Sequence, residues 1–158
     1  GLEVVQRATR DLGFTDSGLR DRVRLDRPKD DPLTLSVGTA AELCEFVARV
    51  DAGTIHNAAV SERVRRWLGV NTDLSMAAQA FGLDPLAHTE ADHGFELWNK
   101  TGTISDARID IGCVGHTPSG RRVAYAVLAN WAWGEDHRDP ALAAMGRIGL
   151  AVRQHLVH

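Results

Sequence analysis

With 158 residues, 44% of them hydrophobic and 25% charged, the chain has the composition of one globular domain with a real core, which excludes a disordered tail. Its 18 basic and 21 acidic residues are interspersed and sum to -3, so no basic stripe is available to track phosphates and no nucleic-acid partner is expected. No apolar run approaches the length of a bilayer span, so no membrane span is expected; Gly1 to Arg10 has neither a basic nor an apolar leader pattern, and the compartment stays open because a chain that begins inside a helical pattern can have lost its true start.

Leu2, Val5, Ala8 and Leu12 recur at helical spacing and Gly13 follows as a stop, which predicts an amphipathic first helix. From Phe14 to Leu35 the chain is rich in Asp, Arg, Gly and Pro without a sustained period and reads as a long surface loop. Thr39 to Glu42 matches a capping box in front of the apolar stripe Leu43, Phe46, Val47 and Val50. Val60, Val64, Trp67 and Leu68, closed by Gly69, mark a third helix. A short helical stretch is expected around Ser75 to Phe81, in an otherwise turn-like run to His93.

The second half changes period. Phe95 to Ile104, Ala107 to Gly115 and Arg122 to Trp131 read as three strands, the last two joined by the turn Thr117-Pro118-Ser119-Gly120, and predict an antiparallel meander. In the last strand Val123, Tyr125 and Val127 alternate with Ala124, Ala126 and Leu128, so helices are expected on both faces. Asp139 as N-cap and Pro140 in the first turn open a closing helix with apolar positions Leu142, Met145, Ile148, Val152 and Leu156; Gly146 and Gly149 are expected to let it lie close to the sheet.

Cys44 and Cys113 have no metal-ligand spacing and are expected in the core. His88, Glu90, Asp92 and His93 cluster but match no known metal motif, so neither a metal nor another cofactor is expected. The other histidines, His56, His116, His137, His155 and His158, read as mostly solvent-exposed. Trp98, Trp131 and Trp133 suit either core or a pocket wall.

The segment Asn99-Lys100-Thr101-Gly102-Thr103 lies at the end of a predicted strand. A strand edge can pair with an extended acyl substrate. Lys100 offers a cation, Thr101 a hydroxyl, Gly102 a bare backbone and Thr103 an N–H that can stabilise an oxyanion. Taken alone, the tripeptide is equally an ordinary strand with a solvated lysine. Its surroundings add to it: the run KTGTISDARIDIGCVGHTPSGRRVAYAVLANW from Lys100 to Trp131 resembles the third motif and following strands of class A β-lactamase-like and penicillin-binding serine hydrolases. Leu2 to Arg27, with Arg24-Leu25-Asp26-Arg27, resembles the helix and approach to that family's omega loop; Thr39 to Leu68 resembles the helices after it, and Asp139 to His158 the terminal helix.

The resemblance implies an α+β, β-lactamase/transpeptidase-like fold, an antiparallel sheet flanked by helices, with the N-terminal part of that fold missing. Residues 1–94 would be a mainly helical part with a shortened omega-type loop, and 95–158 a three-stranded sheet plus terminal helix. It further implies that Lys100 sits in the nucleophile's proton-transfer network, that Thr101 binds a substrate carboxylate beside the bare Gly102, and that the Thr103 N–H forms half of an oxyanion hole. Arg108, on the next strand, would face the same carboxylate; a surface salt bridge to Asp106 or Asp110 is the other reading.

The family's nucleophile is a serine followed three residues later by lysine. Ser17, Ser36, Ser61, Ser75, Ser105 and Ser119 are followed at that distance by Arg20, Thr39, Val64, Ala78, Arg108 and Arg122, and no Ser-Asp-Asn occurs. The expected partners are therefore a small β-lactam or peptide-like substrate and either a missing N-terminal portion or a complementing chain. The expected function is part of a serine hydrolase working through an acyl-enzyme on β-lactam-like, peptide or ester substrates, inactive as this chain alone; the alternative is a non-catalytic ligand-binding or accessory domain. Where efficient class A enzymes place an aromatic residue and a glutamate after the Arg-Leu-Asp-Arg run, this chain has Pro28 and Lys29, which implies slow deacylation.

Overall fold

Alternating apolar residues in the second half build one antiparallel sheet in the computed structural model of the chain, in which residues 1–23, 26 and 35–158 are described. The stretch expected to form an omega-type loop, with Arg24, Leu25, Arg27, Pro28 and Lys29, lies outside the described residues. The order of elements is α1 (Leu2–Asp11), β1 (Gly18–Leu19), β2 (Ser36–Val37), α2 (Ala40–Asp51), α3 (Ala58–Leu68), a 3-10 helix (Ala77–Phe81), β3 (Phe95–Ile104), β4 (Ala107–His116), β5 (Arg121–Asn130) and α4 (Arg138–Val157). The sheet runs β3-β4-β5, antiparallel throughout. Inside the stretch read as loop, Gly18 and Leu19 pair with Val37 and Ser36 as a small ribbon. Among the described residues no helix is long and apolar enough to cross a membrane.

The pleat sends neighbouring residues of each strand to opposite faces, and both faces are packed. Leu97, Val114 and Tyr125 join Ala77, Ala78 and Phe81 of the 3-10 helix and Leu156 of α4. Trp98, Cys113 and Ala124 join Val47 and Val50 of α2 with Phe14 and Ile55. Helices thus cover both sides of the sheet, as the two-face pattern predicts. Burial pushes the Cys113 thiol up to about 12, with Asp51 adding to it; Cys44 is only half-buried and donates to the Ala124 carbonyl at 3.4 Å.

Three local expectations need correction. Gly146 and Gly149 do not admit α4 to the sheet; they admit it to the 3-10 helix, where a Cβ on Gly149 would collide with the Ala77 carbonyl and the Ala80 methyl. The buried stripe of α4 consequently runs through Met145, Gly149 and Leu156, and Ile148 is exposed. The helix begins two residues earlier than expected, with His137 and not Asp139 at the cap. The capping box is half-built: Thr39 accepts from the Glu42 N–H at 3.2 Å, while the Glu42 carboxylate turns to the N–H groups of Thr15 and Asp16 and fastens the loop after α1.

Arg122 ties these layers together. Its guanidinium binds Asp51, at the end of α2, at 2.7 and 2.8 Å, and pairs with Glu96 on β3. To reach Glu96 it crosses β4 over Gly115, where a Cβ would stand 2.7 Å from Arg122 Nη1. Burial raises the Asp51 carboxyl, but hydrogen bonds and charge from Arg122 outweigh it and hold the group below its ordinary value of 3.8. Replacing Arg122 with methionine should lower the unfolding free energy by about 1.5–3 kcal/mol, the range for hydrogen bonds to charged groups, as measured by urea unfolding with tryptophan fluorescence. Because the folded pKa of Asp51 is depressed, its contribution is complete above the unfolded value and is lost as pH falls through the folded one. The gap between wild type and Arg122→Met should close in that acid window, and a pH-independent gap would contradict the assignment.

Candidate functional site

The Lys100–Thr103 segment ends β3, which has β4 on one side and no strand on the other among the described residues. The two-residue turn Ser105-Asp106 makes Ile104 and Ala107 the pair that exchanges hydrogen bonds. Alternation then turns the backbone N–H groups of Thr101 and Thr103 away from β4, toward the open edge. Gly102 lies between them. A Cβ there would meet only Ile109, at an ordinary 3.6 Å, so packing does not demand glycine; at Gly112, by contrast, a Cβ would stand 2.6 Å from the Trp98 carbonyl. The exposed Lys100 ammonium folds back onto the Thr101 carbonyl.

Beneath this edge runs a buried polar network. Asn99 and Asp110 are fully buried on neighbouring strands. Asn99 Nδ2 donates to Asp110 Oδ1 at 3.0 Å, the Tyr125 hydroxyl donates to the same oxygen at 3.1 Å, and the Ala78 N–H reaches Oδ2 at 3.2 Å. Burial raises the Asp110 carboxyl despite these three donors, with the charge of Asp73 adding to the rise, and burial together with Asp110 raises the Tyr125 phenol. Asn71, after α3, donates through Nδ2 to Asn99 Oδ1 and to the Asp73 carbonyl, both at 3.0 Å, and accepts the Thr101 hydroxyl on Oδ1 at 3.2 Å. Burial raises the Asp73 carboxyl, but the Ser75 hydroxyl at 2.6 Å and N–H at 3.1 Å, with Thr101 and Lys100 nearby, outweigh it and hold it low. His88 is buried, and its ring nitrogens face the carbonyls of Leu97 at 2.8 Å and Asn71 at 2.7 Å, joining the Asn71 segment to β3.

A sequence profile described as the beta-lactamase enzyme family matches residues 1–156. The chain belongs to the beta-lactamase enzyme family. A β-lactamase from Sphaerobacter thermophilus shares its fold at a TM-score of 0.72 and 21% identity, over 99% of this chain and 54% of that one. A PBP-A mutant in an acyl-enzyme complex with penicillin G matches at 0.71 and 18%, over 98% and 51%. A class A β-lactamase from Mycobacterium abscessus matches at 0.69 and 18%, over 98% and 55%. The chain therefore spans about half the length of these structures. No curated protein matches the sequence.

Within this beta-lactamase-family fold, Lys100, Thr101, Gly102 and Thr103 share one strand end, but Arg108 is directed elsewhere. Its guanidinium donates to the carbonyls of Ile104, at 2.5 Å, and Ala107, at 2.7 Å, and stacks 5.7 Å from the Trp131 ring. Trp98 belongs to the core and Trp133 is 80% exposed. His88 is occupied by carbonyls, and among the described residues no group of three or more His, Cys, Asp or Glu could hold a metal. His116, expected at the surface, is half-buried against the Phe95 ring at 4.8 Å, with Nδ1 2.9 Å from Ser119 Oγ.

Sequence reasoning passed over Asn71 and Asp73, read Asp110 only as a surface ion-pair partner for Arg108, although it is fully buried, and read Tyr125 only as a strand residue. One signal was available: Asp110 stands between Ile109 and Ile111 in a strand covered on both faces, and a charge there needs partners. Replacing Asp110 with alanine should strand the Asn99 amide, the Tyr125 hydroxyl and the Ala78 N–H, at about 1–3 kcal/mol for each group left unpaired. Chemical denaturation checks this, and a loss below 1 kcal/mol would mean that the network is not a structural anchor.

Proposed function

We propose that this chain supplies the substrate-binding and oxyanion side of a serine hydrolase that works through an acyl-enzyme on β-lactam-like, peptide or ester substrates. The observation that carries the reading is the open edge at Gly102 and Thr103, with Lys100 beside it, in a beta-lactamase-family chain. An acyl group laid along this edge meets no side chain at Gly102, and its carbonyl oxygen can take the outward Thr103 N–H. Charge that develops on that oxygen is stabilised by a donor already fixed in a strand. Lys100, released from the Thr101 carbonyl, places a positive charge near the attacking group. Thr101 touches the substrate through its hydroxyl, and Arg108 joins only by leaving Trp131. The attacking serine comes from a preceding segment or a second chain, since none of the six serines here has a lysine three residues on.

That same lack favours a second reading, a binding or accessory domain of this fold that no longer hydrolyses its ligand. Upstream sequence separates the two: a Ser-x-x-Lys before Gly1 supports the enzyme.

Incubated with a labelled penicillin, the 158-residue chain alone should carry no covalent adduct by mass spectrometry, because the covalent step lacks an attacking atom. In the complete enzyme, Pro28 and Lys29 stand where the family's aromatic residue and glutamate would be. Deacylation should therefore be slower than in efficient class A enzymes by about 10²–10⁴-fold, the usual contribution of a positioned general base. Stopped-flow turnover of a good penicillin checks this: accumulation of acyl-enzyme is expected, and rapid steady-state hydrolysis without accumulation would show that another group serves as base.

A further inference from the structure

We infer that His88 is a positioning residue for the Lys100–Thr103 strand end and works as an imidazolium: with both ring protons it holds the Asn71 turn against β3, and with one it lets that turn go. The inference rests on β3 being the acyl-binding edge.

The segment before β3 folds back along the outer edge of that strand. Asp92 and Phe95 exchange N–H to carbonyl bonds at 2.7 and 2.8 Å, and the Leu97 N–H donates to the His88 carbonyl at 2.7 Å. The outward positions of β3 are thereby used as far as Leu97, and the next ones are Asn99, Thr101 and Thr103. His88 completes the Leu97 position with its side chain, since its Nδ1 stands 2.8 Å from the Leu97 carbonyl. Its Nε2 stands 2.7 Å from the Asn71 carbonyl on the other side.

Carbonyl oxygens only accept. A neutral imidazole has one N–H and one lone pair, so it satisfies one of these contacts and sets its lone pair against an oxygen in the other. The imidazolium donates to both. The ring is 2% exposed, so solvent does not relieve the mismatch.

The surroundings accommodate a cation. Thr89, next to His88, packs on Gly69, the cap of α3, and the carbonyl end of a helix favours positive charge. The ionisable groups on the segments packed around the ring are Asp73 on the Asn71 turn, Arg65 and Arg66 at the end of α3, Lys100 on β3, Asp110 on β4 behind Asn99, and Asp84, Glu90, Asp92 and His93 on its own turn. Arg65 and Arg66 both pair with Glu62. The ring's own partners are the two carbonyls, so its proton count decides how many of them are held.

Asn71 carries the effect to the site. Its side chain donates to Asn99 Oδ1 and to the Asp73 carbonyl and accepts the Thr101 hydroxyl. Releasing its backbone carbonyl loosens that turn and, with it, Thr101 at the rim of the edge. The charged ring makes both contacts, so the hold is complete on the acid side and is lost as pH rises and the ring gives up a proton.

The test is a pH titration of the full-length protein by NMR from about pH 5 to 9, a span that brackets ordinary histidine titration. At the acid end both ring nitrogens of His88 should carry a proton. The Asn71 side-chain amide and the Thr101 backbone amide should then shift with the same midpoint as the ring loses one. In His88→Gln the carboxamide gives a proton to one carbonyl and turns its oxygen on the other, as the neutral ring does. Those amides should therefore sit at the wild type's alkaline positions throughout, and the same spectra report whether the fold is kept; if it is not, the wild-type titration alone decides. Acylation by a labelled penicillin should fall about fivefold across the wild-type transition, the worth of about one net hydrogen bond, with no such step in His88→Gln. A ring with one proton at the acid end, a ring that keeps both protons throughout, amides that do not follow the ring, or a folded His88→Gln at the wild type's acid positions would each overturn the inference. Co-titration without any acyl-enzyme removes the hydrolase reading alone, whereas acylation by a protein whose amides ignore the ring removes this inference alone.

Discussion

Strand β4 is packed on both faces and paired on both edges, so each polar group it carries has to find a partner within the chain. Its buried carboxylate, Asp110, has no cation beside it among its recorded contacts and is met by three neutral donors from β3, β5 and the 3-10 helix. That requirement fixes Asn99, Asn99 fixes Asn71, and Asn71 fixes the hydroxyl of Thr101. The chemistry available at the rim of the sheet is in this sense a consequence of a packing constraint at its centre. His88 reinforces it by holding the Asn71 segment to β3 through two carbonyls.

The two sheet edges differ in use. On β3 the outward N–H groups adjoin a glycine that packing does not require, which suits a ligand. On β5 the outer edge is ten residues long and unpaired among the described residues, which suits a further strand. Helix α1 has no buried residue, and Val4 and Val5 are about half exposed. Both features agree with a chain that spans about half the length of the structures it resembles, and both fit the proposal that a further segment or chain completes the site.

Much of this was legible in the sequence where a single period governs. The strands around Leu97, Val114 and Tyr125 follow from alternation, and the family assignment follows from motifs in order along the whole chain. What was not legible depends on contacts between distant segments. The stripe of α4 shifted from Ile148 to Gly149 because the 3-10 helix, and not the sheet, approaches it. Glu42 abandoned its cap because two N–H groups of the loop after α1 lie within reach. Arg108 was read as a ligand for a carboxylate or a surface ion pair, yet the Ile104 carbonyl and the Trp131 face hold it, and neither is visible in a spacing of eight residues. Asn71, 28 positions before Asn99, has no motif at all.

In the proposed reaction these residues polarise and position an acyl group which a serine outside them attacks. Peptide mapping of the full-length protein after trapping with a labelled penicillin or activated ester tests it most directly. One adduct is expected, on a serine outside residues 1–158, and its formation should slow when Lys100 is replaced by alanine. A stoichiometric adduct on Ser17, Ser36, Ser61, Ser75, Ser105 or Ser119, or no adduct from any acyl donor, would contradict it.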